Sequence, residues 1–249
     1  MKTIKIALSG ANGRMVQAIE KLMLNQPEKF ELVGKIFRNS DLAGIDKICK
    51  AADVVIDFSS PDAIKSLTLA IEKTNAKLVI GTTALQDEHF AYLEELSKSS
   101  AVLYAPNTSI GANLVANLAS KSAKILQKYD VEIIEAHHKH KKDAPSGTAI
   151  MIGEKIAEAS GGKFDKRAVF DRANSGVRID GEIGFSSIRG GGIFGENEVL
   201  FAGDNELVTI GCRALSRDAF AEGALYSAVW IFSQEPGLYS MSDVLQLDS

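Results

Sequence analysis

The sequence has few of the residues that define several large classes of protein. Of its 249 residues only two are cysteines, Cys49 and Cys212. That is too few for a disulfide framework and favours a reducing compartment. The apolar run near the start is short and is broken by Lys5, so it predicts neither a signal peptide nor a membrane span. We therefore expect a cytoplasmic protein with no membrane partner.

An excess of positive charge is also lacking. The formal net charge is −4, which argues against a general nucleic-acid binder because the surfaces of such proteins are basic. Apolar residues make up 45% and charged residues 24% of the chain, as in ordinary globular domains. The length allows one large domain or two modest ones. We see no internal repeat, low-complexity tract or Pro/Ser-rich linker.

Short apolar runs alternate with helical stretches over the first hundred residues. This β-α-β alternation is typical of a parallel, doubly wound, Rossmann-like α/β sheet. Strands are predicted at residues 4–8, 31–37, 53–58, 77–81 and 101–105. Helices are predicted at residues 14–24, from 60 onward, at 86–98 and at 112–127.

The pattern changes after Tyr129. A strand at residues 131–136 and a helix at 148–159 are followed by three extended runs at 179–189, 198–202 and 206–213. With no helix between them, these runs favour an antiparallel or mixed sheet. A last helix at 216–232, with Ser216 as its N-cap, is expected to pack on the first domain. We thus predict one domain over residues 1–108 completed by 216–249, and a second α+β domain over 109–215.

A glycine-containing turn follows the first strand and opens the first helix. Gly10 permits a tight turn, and Gly13 lets the backbone approach a pyrophosphate at the helix N-terminus. The full G-x-G-x-x-G pattern is absent, since Asn12 stands at its second glycine position. The alternative is a plain strand-to-helix turn. Candidate cofactor contacts in this turn are Gly10, Ala11, Asn12, Gly13, Arg14 and Met15.

The end of the second strand bears on the choice of cofactor. A carboxylate there would hold the ribose 2′-hydroxyl of NAD, whereas arginine accommodates the 2′-phosphate of NADP. Phe37 stands in this region without a neighbouring carboxylate, and Lys35 and Arg38 flank it. This favours NADPH over NADH, unless the two cations are only surface charge.

Polar residues follow the fourth and fifth strands. Ligands of open α/β sheets bind outside the carboxyl ends of the strands. These residues are therefore candidates for contacts to the nicotinamide half of the cofactor, although either segment can also be an ordinary turn. They are Gly81, Thr82 and Thr83 after the fourth strand, and Pro106, Asn107 and Thr108 after the fifth.

Three of the four histidines lie within four residues. His137, His138 and His140 alternate with lysines, and Pro145-Ser-Gly-Thr148 follows as the opening of a helix. Histidine exchanges protons near neutrality, and the N–H groups of a helix N-terminus bind carboxylates. The segment therefore predicts a site that holds an anionic substrate and gives it a proton. The alternatives are a solvated surface and a metal site, and the lysines together with the lack of further ligands oppose the latter.

Side-chain alternation places two of the candidate proton carriers together. His137 and Lys141 are four residues apart, so they share one face in an extended segment and also in a helix. Glu135 has the same parity and is positioned to orient an imidazole. A cationic acid of this kind can give a proton to a bound substrate.

Residues 132–149 closely resemble the signature of the dihydrodipicolinate reductase family, also called 4-hydroxy-tetrahydrodipicolinate reductase. The resemblance extends over nearly the whole chain and implies a two-domain, usually homotetrameric enzyme of lysine and diaminopimelate synthesis. It implies hydride transfer from NADPH or NADH to a cyclic dicarboxylate, with the cofactor on the first domain and substrate binding and tetramerisation on the second. Phe37 departs from members with an acidic residue there. By resemblance, His137 and Lys141 are catalytic, His138, Gly147 and Thr148 bind substrate, and the candidate cofactor contacts match residues 10–15, 81–83 and 106–108.

A non-catalytic dinucleotide sensor that keeps the fold is the alternative from another class. The His137 and Lys141 pair discriminates between the two, because a sensor does not need a proton donor beside an anion-binding segment.

Overall fold

The protein was analysed as a computed structural model, which describes residues 2–247. The chain divides into two compact units. The first contains the residues up to Ser109 together with those from Arg217 onward, and the second is Ile110–Ser216. The second unit is therefore inserted in the sequence of the first.

The described residues form eleven strands and nine α-helices. The strands are β1 Ile4–Ser9, β2 Phe30–Ile36, β3 Val54–Asp57, β4 Lys77–Ile80, β5 Ala101–Tyr104, β6 Asp130–His137, β7 Ala168–Val169, β8 Ile183–Arg189, β9 Gly195–Ala202, β10 Leu207–Ala214 and β11 Gly237–Tyr239. The helices are α1 Arg14–Leu24, α2 Leu42–Ala51, α3 Ile64–Ile71, α4 Asp87–Ser97, α5 Ile110–Ile125, α6 Gly147–Ala159, α7 Phe164–Arg167, α8 Asp218–Ile231 and α9 Met241–Leu245.

The first unit is built on a six-stranded sheet in the order β2-β1-β3-β4-β5-β11. Every neighbouring pair in it is parallel. The chain moves outward from β1 in both directions, so β1 and β3 form the switch point at which α/β sheets bind ligands. The predicted Rossmann-like, doubly wound sheet is confirmed.

Apolar cores cover both faces of this sheet. On one face, Ile6 and Leu8 of β1 pack with α1 and α8, which contribute Val16 and Ala224 among others. On the other face, Val55 and its neighbours pack with α2, α3 and α4. Each fully buried aliphatic side chain stabilises the fold by roughly 1.5–3 kcal/mol. The last helix, α8, thus belongs to the first unit.

The second unit contains a five-stranded mixed sheet in the order β10-β9-β6-β8-β7. The pairs β10–β9 and β9–β6 are antiparallel, whereas β6–β8 and β8–β7 are parallel. Val131 and Ile133 of β6 share a core with the helices α5 and α6. Glu135 and His137 follow these two residues on the strand, so alternation places them toward the same face of the sheet.

Several predicted bounds differ from the structure. The first of the three extended runs becomes a strand only at Ile183, because the preceding residues form turns. Ser216 is not the N-cap of α8; Arg217 occupies that position, without a side-chain cap. The helix α2 was not predicted, and it is capped by Asp41, whose Oδ1 accepts from the Gly44 N–H at 2.8 Å.

Candidate active site

The turn between β1 and α1 requires glycine at one position. Gly10 has a φ of +86°, and a Cβ there would lie 2.3 Å from the main-chain oxygen of Phe58. Gly13 is the N-cap of α1 and offers no side chain as a cap. The first N–H groups of a helix have no intrahelical partner, so this turn presents donors suited to a phosphate.

A cavity of about 550 Å³ adjoins this turn. Its walls include the loop after β2, with Phe37 and Arg38, and the loop after β3, with Ser59 and Ser60. Its place at the carboxyl ends of the strands, beside a helix N-terminus, fits the adenosine and phosphate part of a dinucleotide.

The two cations near the end of β2 differ in their surroundings. Lys35 Nζ is paired with Glu20 of α1 at 3.0 Å and does not line the cavity. Arg38 lines the cavity, and no side chain of residues 2–247 forms an ion pair with it. The interpretation of Lys35 as a phosphate ligand is therefore not supported, and Arg38 is the one candidate of the two.

A buried carboxylate, missed by the sequence analysis, lies beneath the loops after β3 and β4. Asp57 accepts hydrogen bonds from Ser59 Oγ at 2.6 Å and from Thr82 Oγ1 at 2.5 Å. The Ser59 N–H in turn donates to Thr82 Oγ1 at 2.9 Å. Burial raises the pKa of Asp57, although these hydroxyls and that of Ser9 oppose the shift. A lone carboxylate at the end of an apolar strand was the available signal.

The remaining predicted cofactor contacts of this unit vary in exposure. Thr83 and Pro106 are exposed, whereas Gly81 is buried. The Phe58 ring packs so closely on Gly81 that a Cβ there would lie 2.1 Å from it. The hydroxyl of Thr108 is 2.7 Å from the main-chain oxygen of Phe220, to which it donates. Two of the predicted threonines, Thr82 and Thr108, thus use their hydroxyls within the fold. Asn107 Oδ1 accepts from the Ser109 N–H at 2.8 Å.

In the second unit, the end of β6 joins an imidazole to a buried carboxylate. His137 Nδ1 lies 2.6 Å from Glu135 Oε2. A carboxylate only accepts hydrogen bonds, so Nδ1 carries the proton and Nε2 is left for another partner. Desolvation lowers the pKa of His137; Glu135 opposes this shift, and the charges of Lys141 and Arg189 add to it.

Glu135 is held in place by several donors. Although burial raises its pKa, hydrogen bonds from Arg189, Ser187 and His137 bring the pKa below its ordinary value. Its Oε1 also accepts from the Ser146 N–H at 3.2 Å. The ionised carboxylate is therefore the stable form beneath His137.

The segment after β6 is a loop, so His137 and Lys141 do not belong to one strand or one helix. The strand ends at His137, and the chain forms a turn before Lys141. The predicted common face of a strand or helix is therefore wrong. Lys141 Nζ instead pairs with Asp143 Oδ2 at 2.8 Å. His138 Nδ1 is buried with no hydrogen-bond partner among residues 2–247.

The helix α6 begins beside this loop. Ser146 is its N-cap, with Oγ accepting from the Ala149 N–H at 3.2 Å. Gly147 is exposed, and a Cβ there would meet no atom within 4 Å. Gly147 and Thr148 thus occupy the first turn of a helix, whose N–H groups bind a carboxylate. No group of three or more His, Cys, Asp or Glu in the described part of the chain is arranged to hold a metal ion.

The Rossmann-like unit and the His–Glu pair together define the class of a nucleotide-dependent oxidoreductase. The family profile "Dihydrodipicolinate reductase, N-terminus" matches residues 4–108, and "Dihydrodipicolinate reductase, C-terminus" matches residues 111–245. The chain belongs to the dihydrodipicolinate reductase family, and its cofactor is a pyridine nucleotide.

Individual relatives agree with the family profiles. The 4-hydroxy-tetrahydrodipicolinate reductase of Rickettsia rickettsii (strain Sheila Smith) is 42% identical over 247 residues, covering 98% of this chain and 100% of the relative. The enzyme of the same name from Rickettsia akari (strain Hartford) is 44% identical, covering 97% of this chain and 96% of the relative. A dipicolinate-bound dihydrodipicolinate reductase from Paenisporosarcina sp. TG-14 superposes with a TM-score of 0.77 and 28% identity, covering 96% of this chain and 98% of that one.

Within residues 2–247, no helix is both long and apolar enough to cross a membrane. Arg213 of β10 is paired with Glu196 at 2.9 Å and is largely exposed.

Proposed function

We propose that this chain reduces 4-hydroxy-tetrahydrodipicolinate to tetrahydrodipicolinate, a step of lysine and diaminopimelate biosynthesis. Over the whole reaction one hydride and one proton enter the substrate and water leaves. The observation that carries the proposal is the contact of Glu135 with both His137 and Ser146. This contact supports the proposal because an imidazole that can carry a proton lies beside a helix start that can bind a carboxylate.

The substrate, a small cyclic dicarboxylate, binds to the second unit. Gly147 and Thr148 offer the N–H groups at the start of α6 to one carboxylate. His138, which follows His137 in the same segment, is a further substrate contact. The positive charges around His137 attract the dianion to this site.

His137 and Lys141 are the proton carriers. A nicotinamide bound to this enzyme would supply the hydride, and electron density would then develop on the ring nitrogen or an adjacent carbon of the substrate. Lys141 and the Nε2 of His137 are the two groups that can give this site the single proton that the reaction takes up, with Glu135 stabilising the imidazole when it is charged. The pKa of His137, which desolvation lowers, rises when the negatively charged substrate binds.

The first unit binds the cofactor, with NADPH preferred to NADH. The turn of residues 10–15 receives the phosphates, and Arg38 pairs with the 2′-phosphate. The loops of residues 81–83 and 106–108 contact the nicotinamide half. Two observations support cofactor binding at this turn: the cavity beside Gly10, and the N-terminus of α1, which has no side-chain cap.

The proposed assembly is a homotetramer formed through the second unit. The face of its sheet opposite α5 and α6 exposes apolar side chains, including Ile188 and Leu207. Large exposed apolar surfaces mark interfaces. We place the protein in the cytoplasm, which agrees with two free cysteines.

Steady-state kinetics with NADPH and the hydroxylated substrate test the catalytic roles. His137→Ala and Lys141→Ala should each lower kcat by about 10²-fold, the scale of a lost proton carrier. The affinity for NADPH, measured by fluorescence titration, should stay within about twofold, since both residues lie in the second unit. His140→Ala is the matched control, because His140 is exposed in the same cluster and should keep kcat. Wild-type kcat in both active-site variants would exclude these roles.

A further inference from the structure

Arg189 donates hydrogen bonds to both carboxylate oxygens of Glu135, the partner of His137. It is the last residue of β8 and lies opposite His137 in the register of the sheet. Its Nη1 donates to Glu135 Oε2 at 2.8 Å, and its Nη2 donates to Glu135 Oε1 at 2.5 Å. The carboxylate is 1% exposed and the guanidinium side chain 19%. A carboxylate paired in this bidentate way keeps a fixed orientation. The position of Oε2, which accepts the His137 Nδ1–H, is therefore fixed as well.

The same guanidinium also holds the loop that carries Lys141. Its Nη2 donates to the main-chain oxygen of Asp143 at 2.7 Å, and the side chain of Asp143 is the partner of Lys141. The glycine turn that follows Arg189 adds main-chain hydrogen bonds to both sides of the site, from the Gly190 N–H to His137 and from the Lys139 N–H to Gly191. One side chain thus contacts the supports of both proton carriers.

We infer that Arg189 is a positioning residue that fixes His137 and the Lys141 loop relative to each other. This inference deepens the proposed function and rests on its assignment of the two proton carriers. Arg189 acts through Glu135 and the main chain of Asp143, and it touches neither proton carrier through a hydrogen bond of its own side chain. Lysine cannot replace it, because an ammonium group lacks the planar fork that binds two carboxylate oxygens and a carbonyl together.

A purely structural role predicts a different outcome from a positioning role. If Arg189 only stabilised the second unit, its replacement would lower the melting temperature while the folded fraction kept its kcat. A positioning residue lowers kcat in the folded enzyme, because a displacement of about 1 Å at a reacting group can cost 10²-fold in rate.

The test is Arg189→Lys in the full-length enzyme, which keeps the charge and much of the side-chain volume. We expect kcat to fall by about tenfold to a hundredfold, with the Kd for NADPH within about twofold of wild type. Added guanidinium should restore part of the activity of Arg189→Ala, since it returns the planar donor. Arg167→Ala is the matched control, because Arg167 also binds a main-chain oxygen of this unit, that of Gly181, but contacts neither Glu135 nor the loop.

His137→Ala and the double variant separate this inference from the proposed function. In the His137→Ala background, Arg189→Lys should lower kcat by a smaller factor than in the wild-type background, because the loss through His137 is already complete and only the loss through the Lys141 loop remains. Wild-type kcat in His137→Ala overturns the proposed role of His137 and the inference with it. A loss in His137→Ala with wild-type kcat in Arg189→Lys overturns the inference alone. If Arg189→Lys is too unstable to assay, Glu135→Gln weakens the same contact, and wild-type kcat there also overturns the inference.

Discussion

At the scale of single residues, the site depends on which nitrogen of His137 carries the proton. The contact with Glu135 assigns the proton to Nδ1. Burial then keeps the ring neutral in the free protein by lowering its pKa. A neutral ring with a free Nε2 is ready to accept or pass a proton once the charge of a ligand changes its surroundings.

Binding of a dicarboxylate should raise the pKa of His137. Pyridine-2,6-dicarboxylate is a suitable probe, because its negative charges offset the desolvation that favours the neutral ring. NMR titration of the imidazole signals with and without the probe measures the change. The His89 signal, from α4 of the first unit, provides the control for binding elsewhere. An unchanged or lower pKa of His137 in the complex would contradict the prediction.

A second residue-scale prediction concerns the choice of cofactor. Arg38→Ala should weaken NADPH binding by about tenfold to a hundredfold, the scale of a charge-assisted contact to a phosphate. NADH binding should change little, since NADH lacks the 2′-phosphate. Lys35→Ala is the matched control, because Lys35 is already paired with Glu20. Equal losses for the two cofactors in Arg38→Ala would refute the assignment of Arg38 to the 2′-phosphate.

At the scale of elements, the turn between β1 and α1 shows how backbone conformation sets the cofactor site. Gly10 combines a left-handed φ with a close approach to the main chain after β3. The turn therefore joins the two strands that flank the switch point, at the position where α1 begins. A side chain at this position would displace the loop against which the turn packs.

Gly10→Ala should be more harmful than the same change at a glycine with equal backbone strain. Gly161 also has a left-handed φ, of +75°, but no atom lies within 4 Å of a Cβ built there. Gly161→Ala should lower the free energy of unfolding by about 1–2 kcal/mol, the cost of the left-handed conformation alone. Gly10→Ala should lower it further and abolish NADPH binding. Denaturant unfolding and cofactor titration measure the two effects, and equal destabilisation of both variants would count against the close packing.

The sequence was sufficient for most of the elements and for the local part of the site. Strands such as β1 and β4 are largely apolar runs, which makes them visible in the sequence. The bounds of α1 were predicted without error, because strong periodicity identifies such a helix. The helix α2 was missed, since only Ile45 and Cys49 of its residues are buried. Short strands such as β11 owe their structure to a neighbouring strand rather than to their own residues.

The site residues that escaped sequence analysis are those whose partners are distant in the chain. Arg189 is separated from Glu135 by 54 positions, and nothing in the surrounding glycines indicates a carboxylate partner. Asp57 ends an apolar strand, and its partner Thr82 lies in the loop after the next strand, β4. Such pairs exist only after the sheets have formed, whereas the histidine cluster is contiguous and was therefore visible.

At the scale of the whole molecule, each unit has one buried carboxylate among residues 2–247, Asp57 in the first and Glu135 in the second. Folding shifts their pKa values in opposite directions. The pKa of Glu135 is lowered in the folded second unit, whereas that of Asp57 is raised in the folded first unit. Folding therefore favours the ionised form of Glu135 and the neutral form of Asp57.

Acidification should weaken the second unit first. The stabilisation from Glu135 is complete above its ordinary pKa of 4.5 and is lost as the pH falls through its lower, folded-state value. The contribution of neutral Asp57 is complete below 3.8 and is lost as the pH rises through its higher, folded-state value. Hydrogen exchange measured by mass spectrometry from neutral to acidic pH should show loss of protection in β6 and β8 before β3 and β4. The reverse order would be inconsistent with these shifts.

The discontinuity of the first unit has a consequence for synthesis on the ribosome. Its core includes Ala221, Ala224 and Ile231 of α8, which are translated only after the entire second unit. Until then, one face of the growing Rossmann-like sheet has α1 but lacks α8, while the inserted unit already has its full sequence. The unit that is translated first is thus the one whose core is completed last. While the second unit is being translated, the nascent chain exposes the apolar surface of β1 and β3 that α8 later covers.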